Sequence, residues 1–311
     1  MRKLECSLII PVFNEKEGIK EFMTSLYEQS RSPDEIIIID GWSTDGTYEY
    51  LLQQSEEKGI QVYKHISNIA QARNFAIQKA HHDIILCTDA GCKVDKHRCE
   101  EIMHIYETTD EMVVGGKSEL LAQNTFQKYA KFRFVSPDPN FHFVSSRNIS
   151  FYRKVREEVG GYPEYLTKRG EDTYFNWKIE HAGYTIFFCP KAIVSRHMGK
   201  DYKAFYTMYR NYTQGDAEIL AIHHKVQSGS IKQALLGTAI LILLCAVNIV
   251  LPYWRISIPG IIFAIGIYKR SPWGFFFDLR FSIGKMLGTI YGFRKGILKW
   301  YKISKTLQKK I

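Results

Sequence analysis

Short unbroken apolar runs and longer stretches with helical spacing take turns along the first two-thirds of the chain. "CSLIIPVF" is a buried-strand run that stops at a turn around Asn14, and "EKEGIKEFMTSLYEQS" after it has apolar residues three and four apart. "DEIIIIDG" and "TDGTYEYLLQQSEEKG" repeat the pair, with Thr44 or Asp45 as the helix N-cap. "IQVYKHI", "NIAQARNFAIQKAH" and "DIILCTDA" continue it as strand, helix and strand. This alternation predicts an α/β domain with a mixed, mostly parallel sheet and helices on both faces. Ligands of such sheets sit beyond the carboxyl ends of the strands, where Asn14, Asp40 and Asp89 fall. Core packing has no use for carboxylates there.

Past Met112 the pattern loosens. "EMVVGGKSEL" and "SSRNISFYRK" read as strands, "EDTYFNWKIEHAG" as an amphipathic helix, and "YTIFFCP" and "AIVSRH" as extended. "YKAFYTMYRNYTQGDAEILAIHH" reads as an aromatic-rich helix leading to a polar hinge at "KVQSGS". Residues 234–252, "ALLGTAILILLCAVNIVLP", carry no charge over a length that suits one membrane crossing, with a buried core helix as the alternative. "ISIPGIIFAIGIY" after it suits a tilted return or re-entrant segment. The basic, aromatic stretch from Ser271 reads as an amphipathic helix in the membrane interface. The expected division is an α/β domain over 1–215, a hinge over 216–232, and membrane-associated helices over 233–311.

Charge sharpens this picture. The 311 residues carry 42 Lys and Arg against 32 Asp and Glu, a formal charge of +10. Eleven basic residues and one acid, Asp278, lie from Lys269 onward, so the residues before Lys269 sum to zero. An enzyme of nucleic acid carries its charge around its groove, so a basic tail argues against that partner and for anionic membrane lipid. A hairpin through the bilayer returns the tail to the side of the α/β domain, the cytoplasmic side by the positive-inside rule. Six cysteines without a CxxC pair imply reduced thiols, and the first strand starts too early for a signal peptide. Cys92, His97, Cys99 and His104 match no common zinc spacing.

"SLIIPVFNE", "IIIIDGWSTDGT", "AQARN", "CTDAGC", "SSRNISFYRK", "EEVGGYPE" and "RGEDTYFNWKIEHAGY" follow one another in the order seen in family 2 glycosyltransferases. The chain resembles that family over roughly residues 4–215. The resemblance implies a GT-A fold, a Rossmann-like sheet, and transfer of a sugar from a UDP- or GDP-linked donor with inversion. Pro11, Asn14, Glu15 and Asp40 would grip base and ribose, and Arg73 and Asn74 would touch the nucleotide. Asp89 and Ala90 would face the donor, with Ser146, Arg147 and Asn148 lining its sugar from the facing wall. Asp172 would be the general base and Glu171 a contact to acceptor or sugar; both acids also suit a helix N-terminus through the dipole.

Two departures stand out. The family pattern has a second acid at the position of Gly41, and Trp42 beside it either stacks on a ligand or packs on the surface. The family's Asp-x-Asp, which grips a divalent ion (Mg or Mn), is here Asp89-Ala90-Gly91. Two arrangements follow. Either Asp89, with His197 and the diphosphate, still holds the ion, or Arg169, Arg196 and Arg210 share or replace its task.

The expected function is a membrane-anchored, inverting transferase adding one sugar to a lipid-linked glycan or polyprenyl phosphate in cell-surface glycan or glycoprotein assembly. The "QxxRW" signature of processive relatives is absent, which favours a single transfer. A sugar-nucleotide pyrophosphorylase would want a Gly-rich, Arg-containing loop after the first strand, and "PVFNEKEG" is not one. A catalytically silent, transferase-like membrane binding protein would be favoured by loss of Asp40, Asp89 or Asp172; all three are present.

Overall fold

The computed structural model describes residues 4–134, 144–167, 169–199, 201–223, 287–292 and 294–299. They fall into two compact units. One holds the residues up to Tyr165 with Glu171–Met198, the other Leu166–Gly170 with the residues from Gly199 on.

In the first unit, strands β1 (Cys6–Val12), β2 (Glu35–Asp40), β3 (Gln61–Lys64), β4 (Ile84–Cys87), β5 (Cys92–Val94), β6 (Val113–Leu121), β7 (Ile149–Tyr152) and β8 (Phe187–His197) build one sheet. Its order is β3-β2-β1-β4-β7-β6-β8-β5. The first four strands run parallel; β7 is antiparallel to both β4 and β6, β8 is parallel to β6, and β5 is antiparallel to β8. Both faces are covered, as the unbroken apolar strands require. Leu8, Ile10 and Val12 pack on one side with Phe22, Met23 and Leu26 of α1 (Ile19–Tyr27) and Ile102 and Met103 of α4 (Arg98–Thr108). Ile9, Ile37 and Ile39 point the other way, onto Ala76 and Ile77 of α3 (Ile69–Lys79) and Phe175 and Ile179 of α7 (Glu171–His181). Successive strand residues face opposite sides, so one apolar run serves two cores. Each fully buried Ile or Leu contributes about 1.5–3 kcal/mol.

Several expectations change in detail. Helix α2 (Thr47–Lys58) is capped by neither Thr44 nor Asp45 in the N-cap position, which Gly46 holds at φ +96. Asp45 instead accepts the Thr47 amide from one residue further out, 3.0 Å. "SSRNISFYRK" is not one strand: later in the chain than α5 (Thr125–Phe134), Ser146–Asn148 form a 3-10 turn, then comes β7, and α6 (Arg153–Val159) follows at once. The two extended segments near 187–197 are one strand, β8, whose pairing with β6 shifts register between Gly116 and Lys117.

In the second unit α8 (Tyr202–His223) runs through residues 216–223, where the hinge was expected to begin. Residues 287–292 and 294–299 are helical, and Gly288, Gly292 and Gly296 face α8 where no side chain fits. A Cβ on Gly292, for example, would lie 2.2 Å from the Gln214 carbonyl oxygen. Among the described residues no helix is long and apolar enough to cross a membrane. The two apolar segments at 234–252 and 256–268 lie outside the described residues.

Candidate active site

The turns after β1 and β2 are stitched together by side chains. Asn14 has φ +53, a left-handed conformation that Asn tolerates better than most residues. Its amide donates to Ser43 Oγ (2.8 Å), and its Oδ1 accepts from the Thr44 amide (2.9 Å). The Glu15 amide donates to Thr47 Oγ1 (2.9 Å). Asp40, at the end of β2, is fully buried. Its Oδ2 accepts from the amides of Trp42 and Ser43, while Oδ1 has no partner. A buried carboxylate oxygen left without a donor is costly, which marks Asp40 Oδ1 as an acceptor that the fold leaves unsatisfied. Pro11 sits just before on β1, partly buried. Phe13 and Trp42 are exposed beside Gly41, and a Cβ on Gly41 would sit 3.4 Å from the Phe13 ring.

Arg73, on α3, ties Asp89, beyond the end of β4, to Glu171 at the start of α7. Only 1% of its surface is exposed. Nη2 donates to Asp89 Oδ1 (2.6 Å) and Nη1 to Glu171 Oε1 (2.8 Å). Burial works against its charge, but Asp89 and Glu171 raise its pKa well above the ordinary value. Glu171 and Asp172 are both buried in the first turn of α7. Burial, then the charge of Asp172, raises the Glu171 carboxyl above the usual range, and Arg73 opposes the shift. Asp172 Oδ1 accepts from the Thr173 amide (2.9 Å), and Oδ2 from Ser145 Oγ (3.3 Å). Arg147 Nε stands 3.9 Å from Asp89 Oδ2. Asp89, Arg73, Arg147, Glu171 and Asp172 thus form one chain of neighbours at the ends of β4 and α7 and in the turn before β7. Burial, then Asp45 and Asp89, raises the pKa of Glu15, which places Glu15 within the field of the same cluster.

Other expected contacts are used differently. Asn74 is spent inside the protein: it donates to the Tyr162 carbonyl (2.9 Å) and Glu164 (2.8 Å) and accepts from the Tyr162 amide (2.9 Å). Asn148 is buried, donating to the carbonyls of Lys117 and Ala192 and accepting from Arg98 Nε. Arg98, itself buried, was not singled out in the sequence; its Nη2 donates to the carbonyl of Cys87 (2.7 Å), the last residue of β4. Ser146 is buried and Ala90 partly exposed. His197 is exposed, one residue beyond Arg196, which pairs with Cys92, the residue after Gly91. Arg169 and Arg210 belong to the second unit, where their guanidiniums lie 5.3 Å from the Tyr212 ring and 5.5 Å from the Tyr291 ring. A cleft of about 830 Å³ at the amino ends of the strands, lined by Asp83, Tyr106, Glu111 and Arg153 among others, contains none of these site residues.

A family model described as Glycosyl transferase family 2 matches residues 7–162. The chain belongs to that family. This family 2 chain is 27% identical over 201 residues to Glycosyltransferase AglE of Haloferax volcanii, covering 60% of this chain and 65% of that one. It is 25% identical over 213 residues to the O-antigen chain rhamnosyltransferase RfbN of Salmonella typhimurium, covering 62% and 66%. Each match therefore spans just under two thirds of the relative's own length. Among solved structures, the mannosyltransferase PcManGT from Pyrobaculum calidifontis, in complex with GDP-Man and Mn2+, superposes with a TM-score of 0.66. It covers 92% of this chain and 87% of that one at 18% identity, so the likeness is one of fold. The family 2 fold accounts for the acids at the carboxyl ends of β1, β2 and β4: the parallel half of the sheet presents them along one edge.

Proposed function

We propose that the protein transfers a single sugar from a nucleotide-sugar donor, UDP- or GDP-linked, to a hydroxyl or phosphate of a membrane-held acceptor, with inversion. The observation that carries this reading is Arg73, which joins Asp89 to Glu171 in one ion network, with Asp172 next to Glu171 in the same helix turn. A transferase needs two things at one point, a grip on the departing diphosphate and a base for the acceptor. The Arg73 network supports both at once. Asp40, whose buried Oδ1 lacks a donor, suits a base or ribose donor. Asp172, held by Ser145 Oγ and its own helix turn, suits the general base of a one-step displacement. Arg147, beside Asp89, suits the diphosphate or sugar.

The chemistry of the donor set suits a divalent ion. Among the described residues no group of three His, Cys, Asp or Glu side chains is placed to hold a metal. An ion bound with a diphosphate asks for less, one or two carboxylates beside phosphate oxygens and water. Asp89 is the carboxylate that would hold it, and the ion would neutralise charge on the leaving diphosphate. Attachment to a membrane is supported by the uncharged run 234–252 and the basic tail.

The test is a donor screen for nucleotide release and sugar transfer, run with and without chelator, on the full chain in membranes or detergent. Asp172→Asn should lower turnover on the order of 100- to 10,000-fold, the usual worth of a positioned base, while leaving donor affinity near wild type. Undiminished turnover in that variant would move the base elsewhere. No transfer with any donor would reject the enzyme reading.

A further inference from the structure

Gly91 occupies the place of the family's second metal-binding acid, and the structure shows what has moved into the space. Its φ is +77, a conformation that glycine adopts without steric cost. A Cβ built on Gly91 would lie 2.8 Å from Glu15 Oε2, 3.2 Å from Glu15 Cδ and 3.3 Å from Glu15 Oε1. All three nearest atoms belong to one carboxyl group. The volume that a side chain at 91 would enter is therefore already filled by a carboxylate, delivered from the turn after β1. The residue that carries it is half-buried.

Its backbone is pinned on both sides. The Glu15 amide donates to Thr47 Oγ1 (2.9 Å), and the Glu15 carbonyl accepts from the amides of Gly18 (3.0 Å) and Ile19 (2.8 Å) at the start of α1. Gly18 lines the same wall, where a Cβ would make ordinary contact, 3.7 Å from Gly91 Cα and 3.9 Å from Glu15 Oε2. Two residues before Gly91, Asp89 has 21% of its side chain exposed, and Arg73 fixes its Oδ1.

We propose that Glu15 replaces the missing acid, so that Glu15 and Asp89 together bind a divalent cation against the diphosphate of the donor. The inference rests on the transferase reading above. Two carboxylates with phosphate oxygens and water form a donor set for Mg2+ or Mn2+. The exchange is steric: an acid at 91 and the Glu15 carboxylate compete for one volume, and this chain keeps the second by making 91 glycine.

The experiment is Mn2+ binding to the full chain with GDP or UDP present, read by the electron paramagnetic resonance of free Mn2+, with nucleotide affinity in chelator measured alongside. Glu15→Gln, which preserves shape, should weaken Mn2+ binding by tenfold or more, well beyond any loss of nucleotide affinity in chelator, with thermal unfolding near wild type. A double variant, Glu15→Ala with Gly91→Asp, returns a carboxylate to the same volume from the other chain segment, at a position Asp tolerates better than most residues. It should recover most of the Mn2+ affinity. Unchanged Mn2+ affinity in Glu15→Gln overturns the proposal, as does a wild-type chain that binds no Mn2+ beside the diphosphate. Sugar transfer by wild type in chelator separates the two readings: transfer without Mn2+ binding removes the role of Glu15 and leaves the transferase standing.

Discussion

Arg73 is buried with carboxylates on two of its nitrogens, and that arrangement has a pH signature. Removing one member of a buried ion pair costs about 3–5 kcal/mol, because the other charge is left uncompensated. In Arg73→Gln both Asp89 and Glu171 lose the guanidinium, and Asp89 retains Arg147 at 3.9 Å. Glu171 already has a raised pKa in the folded chain, from burial first and Asp172 second, with Arg73 acting against the rise. A folded-state pKa above the unfolded value gives stability that is full below the unfolded pKa, about 4.3 for Glu, and is lost as pH rises through the folded value. Without Arg73 the folded value climbs further. The stability gap between wild type and Arg73→Gln should therefore widen as pH rises from about 4 towards neutrality. Denaturant unfolding at a series of pH values measures it, and a gap that narrows with rising pH would contradict this account. Arg73→Lys should recover little, since a single ammonium cannot span both acids as the guanidinium fork does.

At the scale of elements, the wall facing the donor strands depends on close approach at β6. A Cβ on Gly116 would sit 2.4 Å from Asn148 Nδ2 and 2.5 Å from the Ala192 carbonyl oxygen. Asn148 links β6, β8 and the buried Arg98 through its amide, so a methyl group at 116 pushes on the turn that carries Arg147. Gly116→Ala should cost about 1–3 kcal/mol by overpacking and reduce donor affinity through the displaced turn. A thermal melt and a nucleotide titration test both parts, and a fully stable variant would show that the strands relax. The same elements show how far the sequence could be read. Strands β1, β2 and β4 and helices α1 to α3 were legible because each apolar run meets one local rule of spacing. The acids at the strand ends were legible for the same reason. The 3-10 turn at Ser146–Asn148 was not, because Asn148 is held by Lys117, Ala192 and Arg98, all far off in sequence. Asn74 misled for a related reason: on a helix beside Arg73 it looks like a ligand contact, but its amide is taken by the Tyr162–Glu164 loop. The partners of Arg73 were likewise hidden, since nothing local joins residue 73 to 89 and 171.

For the molecule as a whole, the proposed membrane attachment would draw on two forces of different kind at the same end of the chain. The residues before Lys269 sum to zero charge, while the tail carries the +10. Attraction of such a tail to anionic lipid is worth about 1 kcal/mol for each basic residue near the surface, and it fades within a Debye length, about 8 Å at physiological salt. The uncharged residues 234–252 would act through burial in hydrocarbon, which salt does not screen. The helical residues 287–292 and 294–299 add exposed Leu287, Ile290, Ile297 and Leu298 beside Arg294 and Lys295, a mixture suited to the headgroup boundary. Each force predicts its own behaviour for the full chain in isolated membranes. If the apolar run spans the bilayer, the protein stays with the membrane in about 1 M salt, where the Debye length falls to about 3 Å, and through an alkaline wash. Replacing Arg294, Lys295 and Lys299 with Gln should then change the distance or orientation of the tail at the surface but not the attachment. Release by salt alone would mean that electrostatics carries the whole attachment, and the spanning role of 234–252 would fall.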